Sequence, residues 1–192
     1  MCLYNFEIIP QETPNVIRNC GKCKRNTEFY CSEKFRVNSN QKLVDVWVIY
    51  NCTHCEGTWN FPILSRVHVN NINSDLYHKF ISNDKETIWR YAFQSKLLRK
   101  QCHEVNTNIR YELREEKIDL KSNNLTIRFY CKYELDLRID KVLSEILGIS
   151  RSNLKKLELD EMIILNPKIN IKKKITHNLQ ITVVGKGQKI KL

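Results

Sequence analysis

A chain of 192 residues with 42% hydrophobic and 28% charged residues has the balance of a folded globular protein, which excludes a disordered or low-complexity one. Its longest apolar stretches, such as residues 46–50, are far too short to cross a bilayer, and residues 1–10 carry Glu7 and lack both a basic leader and an apolar core of signal length; no membrane partner is expected, and cytoplasmic placement follows. The net charge of +11 is uneven: residues 1–60 hold 7 basic and 6 acidic side chains, 61–125 hold 11 and 8, and 126–192 hold 14 and 7, so the last third has the electrostatic footprint of a polyanion binder.

In chain order, residues 4–9 alternate weakly and end at Pro10, with Pro14 close behind, which predicts a short strand or extended arm. Residues 28–37 and 43–50 are rich in β-formers and separated by Asn38-Ser39-Asn40, a turn composition, and together predict a hairpin. From Asn73 the period changes: Leu76, Tyr77, Phe80 and Ile81 fit one helical face. After a cap at Asn83 or Asp84, a second helix carries Ile88, Trp89, Ala92, Phe93 and Leu97, closed by Lys96, Arg99 and Lys100. Residues 109–113 and 125–131 alternate and predict two antiparallel strands joined by a charged hairpin loop over 115–124. Ile139, Val142, Leu143, Ile146 and Leu147 form one apolar stripe on a helix that stops at Gly148. Ser150 then caps another helix, with Ile149 and Leu154 as a hydrophobic staple. Strands over 162–165 and 179–184 follow, and residues 185–192 form a basic, frayed tail.

The strongest chemical signal is a pair of matched motifs, Cys20-Gly21-Lys22-Cys23 and Cys52-Thr53-His54-Cys55, with 28 residues between them. A hairpin of that length returns the second motif to the first, so four thiolates can surround one tetrahedral Zn²⁺ per chain, as in a zinc ribbon. Such a shell leaves no position for a catalytic water; a catalytic zinc would want three protein ligands and an open site. His54 could replace a cysteine, although two clean pairs make this unnecessary. Disulfides would suit a secreted protein, but Cys2, Cys31, Cys102 and Cys131 are scattered among apolar residues. Trp59 reads as core more readily than as a base-stacking platform, and Cys31 as a small buried hydrophobe.

No phosphate-binding glycine loop, dinucleotide fingerprint or nucleophile elbow is present, and the chain holds only 5 glycines. Asp140, His103, Glu115 and Glu116 fall into no acid–base pattern, so no enzyme is expected. Arg138, Lys141, Arg151, Lys155 and Lys156 decorate the two last helices and Lys172, Lys173 and Lys174 the loop after them. That pattern fits a phosphate-neutralising surface and fits an ordinary solvated face equally.

Residues 137–183 resemble the small RNA-binding module named after ribosomal protein S-four, the alpha-L motif. The similar run is Arg138-Ile139-Asp140-Lys141-Val142-Leu143, Gly148-Ile149-Ser150-Arg151-Ser152, Leu154-Lys155-Lys156-Leu157 and Ile163-Ile164-Leu165-Asn166, with a strand near Ile181. The resemblance implies that Arg138, Lys141, Arg151, Ser152, Lys155 and Lys156 cradle structured RNA. Over its whole length the chain resembles the bacterial domain-of-unknown-function 1062 family, through Glu7-Ile8-Ile9-Pro10, the paired cysteine motifs, the run Cys31-Ser32-Glu33-Lys34-Phe35-Arg36-Val37-Asn38, Asp45-Val46-Trp47, Thr58-Trp59-Asn60 and Trp89-Arg90-Tyr91-Ala92-Phe93; this implies no activity.

The expected architecture is α+β: a four-cysteine zinc ribbon over residues 1–66, a two-helix linker over 67–104, and over 105–192 a β-hairpin plus an alpha-L RNA-binding-like domain with its core at 137–184. The expected function is non-enzymatic binding of ribosomal or transfer RNA. The alternatives are a DNA-binding or transcription-associated zinc protein, or a protein-interaction adaptor, the latter motivated by Pro167 and the acidic run at 158–161.

Overall fold

A computed structural model describes residues 2–119, 125–175 and 179–184. Strict alternation builds the first sheet: along Leu43–Cys52 every second side chain, from Val44 to Cys52, is buried, as a strand with one face on a core requires. This strand, β4, lies between β3 (Arg25–Asn40) and β5 (Thr58–His68), and β3 pairs on its other side with β2 (Asn15–Cys20). All pairings are antiparallel, and the short β6 (Glu104–Asn106) closes the far edge against β2. The hairpin turn falls at residues 41–42, just past the expected Asn38-Ser39-Asn40, with Gln41 at φ 58°.

Helix α1 (Ser74–Ile81) is capped by Asn73, whose side chain accepts from the Leu76 N–H; α2 (Lys85–Ala92) is capped by Asp84, which accepts from Thr87. The second predicted helix does not run on to Leu97. It ends at Ala92, and a single turn, α3 (Ser95–Leu98), follows, so that Leu98 is fully buried while Leu97 is 44% exposed. These helices pack on the sheet rather than linking it to something else. Phe35 of β3 meets Phe80 at 5.0 Å between ring centroids, and the Trp89 indole N–H donates to Glu33 at 2.7 Å. The sheet and its helices form one compact unit, residues 12–109.

The second unit is built from the two ends of the described chain, residues 2–11 and 110–184. Its sheet has the order β7 (Tyr111–Asp119), β1 (Cys2–Pro10), β8 (Leu125–Cys131), β10 (Leu179–Val183), β9 (Ile163–Asn166). The N-terminal segment is therefore not an arm leading into the cysteine motifs. It is an inner strand, antiparallel to β7 and parallel to β8. The expected hairpin of residues 109–131 is overturned for the same reason: β7 and β8 flank β1 and do not pair with each other. Tyr4, Phe6 and Ile8 of β1 are buried and stand level with Ile127, Phe129 and Cys131 of β8, an apolar stripe the expected hairpin would have left uncovered. Residues 120–124 of the expected loop and the tail at 185–192 lie outside the described residues.

Two helices follow β8. The stripe on α4 (Ile139–Leu147) is buried as its spacing predicts, and the helix ends at Gly148, whose φ of 63° is the left-handed conformation favoured by glycine. Ser150 caps α5 (Arg151–Leu159) by accepting from the Asn153 N–H, and Leu154 is fully buried. Mixed α+β structure with two sheets and five helices is thus observed among the described residues, and no helix there is long and apolar enough to cross a membrane. Deleting residues 1–10 is expected to abolish amide-exchange protection in β8 and β10 while leaving that of β3 and β4. Phe6→Ala should cost the same unit about 3–5 kcal/mol in denaturant unfolding.

Candidate metal centre and basic surface

Each cysteine motif occupies a turn between antiparallel strands, Cys20 ending β2 and Cys52 ending β4. The two turns share one conformation. The residue after each motif, Lys24 or Glu56, has φ 56° or 54° and donates its N–H to the carbonyl of the first cysteine, at 2.8 Å and 3.0 Å respectively. A side chain that is not glycine rarely adopts that region, and here the turn needs it to point both cysteines of a motif inward.

The four sulfur atoms lie within 4.8 Å of one another and none is in a disulfide. Cys20 and Cys55 approach to 3.5 Å, Cys23 and Cys52 to 3.9 Å. A tetrahedral ion with metal–sulfur bonds of about 2.3 Å requires sulfur separations of about 3.8 Å, so the set fits one metal ion held by four sulfurs. His54 is exposed in its turn and is not one of the clustered groups. Gly57 lies close beside the cluster: a Cβ there would stand 3.1 Å from the Cys55 sulfur, so a larger residue would need that side chain to give by a few tenths of an ångström. The Thr27 hydroxyl, 3.3 Å from the Cys52 sulfur, holds that thiol down to about 6, whereas the hydrogen bond with Cys55 pushes Cys23 up to about 12. Without metal the thiols hold and share protons; a bound cation would displace those protons into solvent.

Sequence reasoning missed the residues that frame this cluster. Thr27 reaches Cys52 from β3, and Arg18, two residues before Cys20, lays its guanidinium over the Trp59 ring at 4.2 Å. Period-two counting back from Cys20 places Arg18 on the same face, which is the one signal that could have found it. The run at residues 31–38 serves the fold: Cys31 is buried, and Glu33 sits at φ 54° where β3 bulges, taking both Trp89 and the Lys85 ammonium, the latter at 3.4 Å. Trp59 packs on Tyr50 and Phe61 at 5.3 and 5.6 Å.

In the other unit, the predicted nucleic-acid residues divide into two groups. Arg138 is committed within the protein, its Nε donating to buried Asp140 at 2.9 Å, and Lys174 pairs with Asp136. Ser152 shares a hydrogen bond with the capping Ser150. Lys141, Arg151, Lys155, Lys156, Lys172 and Lys173 are exposed. Backbone bonds from Ile139 N–H to the Lys173 carbonyl and from Ile175 N–H to the Leu137 carbonyl, at 3.0 and 2.8 Å, fasten the lysine loop beside the start of α4. The same loop touches the acidic end of α5, where Glu158 accepts from the Ile171 N–H.

A family model described as a protein of unknown function (DUF1062) matches residues 37–169. That span includes the second cysteine motif and both C-terminal helices but begins after the first motif. No curated protein and no solved structure matches the chain. Elemental analysis of the purified protein is expected to find close to one metal ion per chain, and Cys20→Ser or Cys55→Ser to lose it and to unfold residues 12–109 by circular dichroism. Because protons compete for the same sulfurs, metal affinity should fall as pH is lowered, which a chelator titration at several pH values will read.

Proposed function

The chain belongs to the DUF1062 family, which carries no assigned activity, and we propose from its own residues that it is a non-enzymatic, zinc-containing RNA-binding protein of the cytoplasm. One structural Zn²⁺ is held by Cys20, Cys23, Cys52 and Cys55: an all-thiolate tetrahedral set favours zinc, and a closed shell stabilises the fold instead of activating water. Structured RNA docks on the α4–α5 surface. The observation that carries this reading is the six exposed cations, Lys141, Arg151, Lys155, Lys156, Lys172 and Lys173, on two consecutive helices and the loop fastened beside them. Among the described residues none of the six is in an ion pair, so phosphates can take the place of water around them. The succession α4, α5, β9, β10 and the alpha-L resemblance of residues 137–183 support the same assignment. Arg138, Lys174 and Ser152 shape the surface through their internal bonds rather than touching RNA.

A protein-interaction adaptor is the second reading, and one observation favours it. Beside the edge strand β9 lies a cavity of about 570 Å³ lined by Ile163, Ile164, Ile169, Glu158, Glu161 and Lys168. Partner association that survives nuclease treatment would favour it.

Fluorescence anisotropy with bulk ribosomal and transfer RNA is expected to detect salt-sensitive binding at micromolar protein. Arg151→Glu with Lys155→Glu should weaken it, and neutralising one phosphate-contacting lysine should reduce the salt slope by about 1, without lowering the melting temperature. Absence of salt-sensitive binding, or tighter binding to duplex DNA, would overturn the RNA assignment.

A further inference from the structure

Arg18 is a cation in an unusual place. Period two puts it on the same face of β2 as Val16 and Cys20, and Val16 and Cys20 belong to the buried core of the 12–109 unit. Its cross-strand partner is Thr27, the residue whose hydroxyl touches the Cys52 sulfur. Its guanidinium lies between two aromatic rings, 4.2 Å from the centroid of Trp59 and 5.8 Å from that of Phe29. Among the described residues it makes no ion pair and no side-chain hydrogen bond, and its Nε is buried with no acceptor. Arg18 as a whole is only partly buried, but its Nε is shut from water with no acceptor, which is costly, and ring faces offset only part of that cost.

The titratable groups whose charge would act on Arg18 are thiols, those of Cys102 and Cys20. Cys102 donates its S–H to the Leu98 carbonyl at 2.9 Å, and burial raises its pKa, so it stays neutral. The four-cysteine cluster remains. A divalent ion in four thiolates carries a net charge of minus two, and it would stand next to a core-facing cation that has no carboxylate partner.

We infer that Arg18 is the counter-ion of the metal tetrathiolate, a positioning residue whose charge makes metal binding tighter and whose partial burial, with an unpartnered Nε, is compensated when the metal is present. This inference rests on the metal reading of the cysteine cluster. Groups that surround metal ligands commonly contribute about 10- to 100-fold in affinity, and Arg18 is expected to lie in that range. It also couples the sheet to the ion: without metal Arg18 is a partly buried charge whose Nε lacks a partner, and with metal it would hold β2 and Trp59 against the centre.

The test compares the full chain with Arg18→Met, Arg18→Gln and Arg18→Lys, each purified with zinc. Two quantities are read, zinc affinity by competition with a chromophoric chelator and thermal stability with and without zinc. Arg18→Met and Arg18→Gln should bind zinc about 10-fold or more weakly, yet be at least as stable as the wild type once zinc is stripped; Arg18→Lys should recover most of the affinity. Unchanged affinity in both neutral variants overturns the assignment, as does an equal loss of stability with and without zinc, the signature of packing on Trp59 alone. A wild type that binds no zinc would instead overturn the metal reading itself.

Discussion

The convergence of four sulfur atoms within 4.8 Å is possible only if four consecutive strands hold one register. Cys20 and Cys23 bracket the turn from β2 to β3, and Cys52 and Cys55 the turn from β4 to β5, so a slip of one residue anywhere in this meander would turn one pair of sulfurs to the opposite face. The sheet supports the cluster in return. Thr27, Phe29 and Cys31 of β3 stand opposite Arg18, Cys52 and Tyr50 on neighbouring strands, and the aromatic residues Phe29, Tyr50 and Phe61 share one buried core with Cys20 and Cys52, with Arg18 at its margin. Both turns reach this arrangement with the same left-handed residue and the same backbone bond, so the two halves of the centre are copies of one local solution.

The helices of residues 74–98 extend that interior. Phe80, Ile88, Ala92 and Leu98 are buried with the strand residues, and the bulge of β3 at Glu33 supplies the polar anchor for Trp89 and Lys85. The motifs that mark the family resemblance in this region therefore report packing.

The other unit is held by a non-local pairing, β1 with β7 and β8, across a hundred residues or more of intervening chain. Its two basic helices pack on each other and α5 packs on β9, with the apolar residues Ile139, Val142, Leu143 and Leu147 of α4 buried. Two cations of the basic surface, Arg138 and Lys174, stay exposed but are paired with Asp140 and Asp136, and Glu158 lies beside the same loop.

Local rules made much of this legible. The cysteine spacing, the β-rich run of β4, the cap at Asn83 or Asp84, the stripe of α4 and the Gly148 stop each involve residues a few positions apart, where period and side-chain chemistry decide the outcome. Residue type and spacing also singled out the four cysteines whose sulfurs cluster. What they left open is decided over long distances: that β1 divides β7 from β8, that the helices belong to the cysteine unit, that Arg138 and Lys174 are spent on internal carboxylates, and that Arg18 faces the sulfurs. Most elements and the cysteine pairs are readable from residue order, because they depend on neighbours along the chain. Partners emerge from folding, because strand order and ion pairing depend on which apolar faces and which charges meet after the chain has closed on itself.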